Sequence, residues 1–209
     1  MRHFDHIDIA HRKRLFFRQP RPFSRHDDPE VLAVALGATL YCPATRPSLA
    51  DDIVKAARKG VASMVVCLED AIADADVAEA EANAVAALRR LHDGWAGPGA
   101  DAPGDPSGLR DADIPLLFVR VRAAEQIGDL VDRLGPAADL VSGFVLPKFT
   151  AAAGGAFLDA LEDTAARTGR RLLAMPVIES REAIHRETRA DMLQDVARLL
   201  AKHRERGLA

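Results

Sequence analysis

Short apolar runs alternate with longer helical segments along most of this chain, and this alternation constrains its fold more than any other feature. The clearest run, Met64–Leu68, is continuously apolar, which is typical of a strand covered on both faces. Five such runs predict an α/β protein whose parallel strands neighbour one another in sequence order, with right-handed crossovers. The predicted strands are Ala38–Cys42, Met64–Leu68, Leu116–Val119, Phe144–Leu146 and Leu173–Ile178.

Helix signals fill the intervals between these strands. Asp28-Pro29 predicts a helix start, because an acidic cap is followed by a proline in the first turn, and Gly37 predicts its end. The last segment predicts one long amphipathic helix, since side chains that suit a core recur every fourth residue. These side chains are Ile184, Thr188, Met192, Val196 and Leu200.

Two segments fall outside this pattern. Residues 1–27 have no clear period and predict an irregular N-terminal arm, whereas residues 95–113 are rich in glycine and proline and predict a flexible loop. We expect residues 28–209 to form the main domain. The arm carries a basic cluster that nearby acids offset, which we interpret as a solvated face and not a polyanion site. The cluster comprises Arg12, Lys13, Arg14, Arg18, Arg21 and Arg25.

Composition excludes several classes of protein. The net charge of −3 gives no indication of a nucleic-acid partner. No apolar stretch approaches the roughly 20 residues of a membrane span, and no signal-peptide pattern opens the chain. Cys42 and Cys67 lie inside apolar runs without metal-ligand spacing, so we expect buried thiols in a reducing cytoplasm.

Charged residues follow the predicted strands at the point where each strand ends. They are Glu69, Asp70, Arg120, Lys148 and Glu179, with Arg46 three residues beyond the Pro43 that breaks the first strand. The carboxyl ends of parallel strands face one side, so we expect one mouth that binds an anionic small molecule, with Arg120 and Arg46 as substrate-binding residues. We expect at most one of Arg120 and Arg122 to point into this mouth.

A simpler interpretation exists for each of these residues taken alone. A charge after a strand often only marks the start of a loop, Glu69 and Asp70 suit a helix cap, and Lys148 suits a solvated loop. The joint pattern at corresponding positions of successive units is what favours a binding or catalytic mouth.

Five segments carry a resemblance to a known family. They are LYCPATRP, VVCLEDAI, LFVRVR, GFVLPKF and MPVIES, and they occur in this order between Leu40 and about Ile184. They resemble the HpcH/HpaI aldolase and citrate lyase beta-subunit-like superfamily, and within it a branch described as C–C bond lyases of the TIM-barrel fold. The resemblance implies a (β/α)8 barrel, bound Mg²⁺, and cleavage of a C–C bond beside a carbonyl.

The resemblance also implies a role for each residue at the mouth. Arg120 grips a carboxylate or carbonyl oxygen of the substrate, and Glu179 ligates the metal. Glu69 and Asp70 orient the arginine and the metal-bound waters, while Lys148 supplies electrostatic support. The implied substrate is a small oxo- or hydroxy-acid, or its coenzyme A thioester. An enolate formed by such cleavage is stabilised by a divalent metal and an arginine.

The chain departs from the family pattern in three ways. Cys67 replaces an aspartate, Arg122 replaces an asparagine, and the chain ends at Ala209, before the sixth strand whose end carries the second metal carboxylate of the family. Five units cannot close an eight-stranded barrel. We therefore expect an N-terminal portion of the full enzyme, and we expect a homo-oligomer.

Two alternatives remain open from the sequence. One is a catalytically inactive barrel subunit or ligand-binding module in a multi-protein assembly. The other, a phosphate-binding α/β module, has less support because no glycine-rich loop follows the first strand.

Overall fold

Five parallel strands form one sheet in the computed structural model, which describes residues 1–95 and 109–206. The strand order is β1-β2-β3-β4-β5, as the sequence predicts, and the α/β class is confirmed. The arrangement matches the first five units of a (β/α)8 barrel. The strands are β1 (Leu40–Pro43), β2 (Ser63–Cys67), β3 (Leu116–Arg120), β4 (Val141–Leu146) and β5 (Leu173–Pro176).

Helices connect successive strands, and the helix predicted to start at Asp28-Pro29 and to end at Gly37 spans Pro29–Ala35. The helices are α1 (Ile9–Leu15), α2 (Pro29–Ala35), α3 (Leu49–Arg58), α4 (Val77–Asp93), α5 (Glu125–Leu134), α6 (Ala151–Thr168), α7 (Arg181–Ile184) and α8 (Arg186–Glu205). The predicted long final helix is divided, because His185 has extended backbone between α7 and α8. None of the helices in residues 1–95 and 109–206 is long and apolar enough to cross a membrane.

The sheet separates two apolar layers. Side chains that face the helices, such as Met64, Val119 and Phe144, form the larger core with α3 to α6. Alternate side chains face the inner, concave side, as period-2 alternation requires. There Val65 and Phe118 pack against residues that precede β1. The inner layer therefore fills the concave side of the sheet below the carboxyl ends of the strands.

The N-terminal arm is more ordered than the sequence indicates. The prediction of an irregular segment is wrong for residues 9–15, which form α1, with the Asp8 side chain accepting a hydrogen bond from the His11 amide. This helix escaped detection because it is short and held by its cap, without an apolar stripe. Phe23 lies in the inner layer, and Arg12 is buried with its Nη1 2.7 Å from Asp5 Oδ1, so the basic cluster is not wholly solvated.

The second irregular segment was predicted as a flexible loop over residues 95–113. Residues 96–108 of it lie outside the described part of the chain. Its last residues, Asp111–Asp113, form a 3₁₀ helix. A buried ion pair from the N-terminal arm holds this turn, in which Arg25 Nε donates to Asp111 Oδ1 at 3.1 Å.

Candidate active site

Arg120, the last residue of β3, is the centre of the mouth at the carboxyl ends of the strands. Its Nη2 lies 2.6 Å from Glu69 Oε2, 2.8 Å from Asp70 Oδ2 and 3.0 Å from Glu179 Oε1. The guanidinium is buried, and its Nε has no hydrogen-bond partner in the described residues. None of the three carboxylate contacts uses Nη1. The arginine is thus held firmly on one side and retains donors for a ligand.

The loop after β2 carries two of these carboxylates. The Leu68 amide donates to the Arg120 carbonyl at 2.9 Å, which extends the β2–β3 pairing by one residue and aims Glu69 at the mouth. Arg122 points away from the mouth and binds this loop from behind, donating to the carbonyls of Leu68, Glu69 and Ile72. It therefore fixes the acidic loop through its backbone, without an ion pair to Glu69 or Asp70.

Lys148 and Glu179 complete the cluster from the ends of β4 and β5. Lys148 Nζ lies 2.8 Å from Glu69 Oε1, and the Lys148 amide donates to Glu179 Oε1 at 3.0 Å. Lys148 has a φ of 49°, in the left-handed region that a lysine seldom adopts. Backbone strain of this kind concentrates at functional sites, and here it turns the amide toward the Glu179 carboxylate.

The charges of the cluster support one another. Burial alone would raise the pKa of Glu69, but contacts with Lys148, Asp70 and Arg120 outweigh it and lower that pKa. Burial likewise opposes the charge on Arg120, yet Glu69, Glu179 and Asp70 raise its pKa. The hydrogen bond to Glu69 raises the pKa of Lys148. Glu69 is therefore an ionised acceptor, and the two bases stay charged.

Two residues stand apart from the sequence-based prediction. Arg46, predicted to bind substrate, pairs with Asp52 at 2.8 Å near the start of α3, and within the described part of the chain no contact joins it to the Arg120 cluster. Tyr41, which the sequence reasoning missed, lies on β1, where burial raises the pKa of its hydroxyl and the nearby charge of Arg120 opposes this rise. Its position one residue before the buried Cys42 was the available signal, because alternation places Tyr41 on the inner face.

The cluster offers oxygen ligands of the kind that Mg²⁺ prefers. Glu69 uses both of its oxygens on Arg120 and Lys148. Glu179 has one oxygen outside the contacts described above, and the second oxygen of Asp70 makes only a 3.9 Å ion pair with Lys148 Nζ. Two carboxylates completed by water or substrate suit Mg²⁺. Glu69, Asp70 and Glu179 surround Arg120 Nη2, so the three acids do not by themselves form a compact metal-binding triad. The donor set thus fits a metal at Glu179 and Asp70, beside the arginine.

In enzymes with a parallel α/β barrel, the active site lies at the carboxyl ends of the strands, and the charged groups of this chain are gathered at that place. The comparison with family models identifies the class more closely. Residues 30–209 match the family described as C–C bond lyase of the TIM-barrel fold, so the chain belongs to that family. A search of curated proteins gave no match. The branch suggested by the sequence segments is confirmed, together with the TIM-barrel type of fold.

Proposed function

We propose that the protein is a Mg²⁺-dependent lyase or aldolase that cleaves a C–C bond in a small oxo- or hydroxy-acid or its coenzyme A thioester. Membership of a C–C bond lyase family supports the reaction class. The observation that carries the proposal is the buried Arg120 guanidinium, held by three carboxylates on Nη2 while Nε has no partner in the described residues. We also propose kinship with the HpcH/HpaI and citrate lyase beta-subunit-like enzymes, and a cytoplasmic homo-oligomer.

Each residue of the cluster has a physical task in this reaction. Arg120 binds the carbonyl or carboxylate oxygen of the substrate and stabilises the negative charge that develops there when the bond breaks. Glu69 holds Arg120 and Lys148 in place and is itself buried. Asp70, with a side chain that is 58% exposed, holds Arg120 from the open side of the mouth and orients water there. Lys148 adds positive charge at the rim.

Glu179 and Asp70 are the residues that would hold Mg²⁺. A bound Mg²⁺ would supply Lewis-acid stabilisation of the developing oxyanion. One or two carboxylates are at the lower end of what binds this ion without substrate, so we expect weak binding to the free protein.

The test measures enolate formation directly. The protein is incubated in D₂O with Mg²⁺ and, separately, with pyruvate, oxaloacetate or acetyl coenzyme A, and proton NMR follows exchange at the carbon beside the carbonyl. We expect exchange with at least one of these probes. Glu179→Gln should lower the rate by about 100-fold and weaken Mg²⁺ binding in calorimetry, because the amide keeps the shape but loses the charge.

The matched control is Glu187→Gln, which removes an exposed acid of α8 and should change neither quantity. Circular dichroism establishes that both variants are folded. Wild-type turnover and metal dependence in Glu179→Gln would make Glu179 a structural acid and contradict the proposed metal site.

One observation favours a second candidate function, a ligand-binding barrel module without turnover. The cation at the centre of the three acids is a guanidinium, so the cluster is satisfied without a metal. This candidate predicts that the probes bind in calorimetry while no exchange occurs, with or without Mg²⁺.

A further inference from the structure

We propose that Asp159, Glu162 and His203 form a binding site for a Zn²⁺ ion between α6 and α8. The site lies in the helix layer and shares no residue with the Arg120 cluster, so the inference goes beyond the proposed lyase function and does not depend on it. It rests on the convergence of three ligand atoms, on the burial of the histidine, and on the charge and chemistry of the donor set.

Two different helices bring the three side chains together. Asp159 and Glu162 lie three residues apart on α6, so they share one face of that helix. His203 lies in the last turn of α8, which packs against α6. One ligand atom from each side chain lies within 4.8 Å of the other two, and His203 Nδ1 is 2.6 Å from Glu162 Oε1. The three donors therefore converge between the two helices.

The face of α8 that packs against the protein ends in this histidine. The buried residues of α8 are Met192, Val196 and His203, which recur at helical spacing. The first two belong to the apolar core, whereas the imidazole of His203, with a side chain that is only 3% exposed, is directed at Glu162. An apolar side chain would serve packing alone at this position. A buried imidazole that meets acids provides the nitrogen that metal sites use most often.

The two carboxylates bring negative charge together without a close cation. Neighbouring like charges on one helix face destabilise it. Among the arginines and lysines that the structure describes, Arg206 pairs with both acids, with its Nη1 3.6 Å from Asp159 Oδ1 and 3.5 Å from Glu162 Oε2. These contacts are long, and the arginine side chain is 46% exposed, so solvent screens its charge. A divalent cation between the acids would neutralise them more completely, and Arg206 is free to turn toward solvent.

The donor set favours zinc over the ion proposed for the mouth. One imidazole nitrogen and two carboxylate oxygens are ligands that Zn²⁺ accepts, and three protein ligands leave a fourth position for water. Mg²⁺ prefers oxygen ligands. A tetrahedral zinc with bonds of about 2.1 Å holds its ligand atoms about 3.4 Å apart. His203 Nδ1 and Glu162 Oε1 must therefore separate slightly, and the exposed Asp159 side chain can rotate toward them.

The consequence of binding is a cross-link between α6 and the end of α8. Of the 20 residues of α8, all of them described, three are buried, so packing alone holds this helix weakly. An ion that binds only the folded protein stabilises it by mass action. We expect Zn²⁺ to raise the melting temperature by about 5 °C or more at a free concentration of about 100 times the dissociation constant.

The first experiment measures Zn²⁺ binding by calorimetry after the protein has been dialysed against EDTA and then into buffer with millimolar Mg²⁺, which competes for an oxygen-only site. We expect one ion with a micromolar dissociation constant or tighter. Asp159→Asn and His203→Gln should each weaken binding about 10-fold or more, because each removes a ligand. Asp163→Asn is the matched control, since it removes a neighbouring exposed acid of α6 and should leave the dissociation constant unchanged.

The competing interpretation is a histidine–glutamate pair that needs no metal, and the variants separate the two. That pair does not involve Asp159, so it gives Asp159→Asn no effect. Wild-type affinity retained by either variant overturns the site, and so does a wild-type dissociation constant above about 100 µM. Circular dichroism shows whether His203→Gln is folded. If it is not, Asp159→Asn decides, because this change alters an exposed side chain.

The second experiment identifies the ligand atom. With ¹⁵N-labelled histidine, long-range proton–nitrogen NMR separates the two ring nitrogens of each of the seven histidines. Zn²⁺ should shift the Nδ1 resonance of one histidine, and His203→Gln should remove the signals of that residue. The control His11→Gln, which removes an exposed histidine of α1, should leave the shift in place. A shift confined to other histidines, or no shift, would overturn the site and leave the proposed lyase function untouched.

Discussion

Arg25 and Arg120 are both buried arginines bound to carboxylates, but they satisfy their hydrogen bonds in opposite ways. Arg25 distributes its donors, with Nε on Asp111 and the two terminal nitrogens on the carbonyls of Leu140 and Ile114. Arg120 places three carboxylates on one nitrogen and leaves Nε without a partner in the described residues. Each of the three side-chain nitrogens of Arg25 therefore donates to the protein, whereas Arg120 keeps N–H groups available for a ligand.

The pKa values of the two arginines are shifted in opposite directions. Burial lowers the pKa of Arg25, and the single partner Asp111 only partly compensates. Arg120 is also opposed by burial, but its three acids raise its pKa. A surplus of acids around one buried cation is a poor arrangement for stability alone, because like charges are brought together. It suits a site where a further cation or a polar ligand joins the cluster.

The largest effect that we predict is on stability at Arg25. Arg25→Met should lower the free energy of unfolding by about 3–5 kcal/mol, because Asp111 and two carbonyls lose their partner in a buried place. Chemical denaturation with a circular dichroism readout measures this loss.

The matched control for that loss is Arg58→Met. Arg58 also pairs with an aspartate, Asp113, but its side chain is 63% exposed and Asp113 keeps Arg110 as a second partner. The control should shift the denaturation midpoint far less. Equal shifts in both variants would mean that the Arg25 pair is no more structural than a surface pair.

The next effect is on activity at Arg120. Arg120→Lys keeps the charge but loses the planar guanidinium that reaches several oxygens at once. We expect the exchange rate to fall by about 100-fold, while the denaturation midpoint moves less than in Arg25→Met. Steady-state exchange kinetics and denaturation on the same preparation test both parts. A variant with a wild-type rate that unfolds readily would place Arg120 with Arg25, as a structural residue.

The strand pattern predicted the sheet well because its signal is local. Continuous apolar runs such as Met64–Leu68 mark buried strands directly, and charges after such runs mark their carboxyl ends. The observed sheet then brings Glu69, Arg120 and Glu179 together, as expected from parallel strands. What the sequence could not show is which nitrogen meets which oxygen, because that depends on side-chain packing.

The missed features are those without a repeating pattern. The charge of Arg120 acts on Tyr41 only because β1 and β3 lie in one sheet, a non-local relation that composition does not show. The helix α1 depends on one cap, and the contact between Arg25 and Asp111 joins positions 86 residues apart. The left-handed backbone of Lys148 also has no sequence signature, since lysine seldom adopts it.

The smallest effect that we predict concerns Arg46, which the sequence assigns to substrate binding. Its side chain is 53% exposed, and Asp52 already neutralises it at 2.8 Å, so solvent and salt screen its charge. Arg46→Met should therefore change the apparent KM for the exchange probes by no more than about threefold and the melting temperature by about 2 °C or less. Asp52→Asn is the matched control, because it frees Arg46 without removing it. A tenfold rise in KM in Arg46→Met, together with a lower KM in Asp52→Asn, would show that Arg46 reaches the substrate and that the mouth extends to β1.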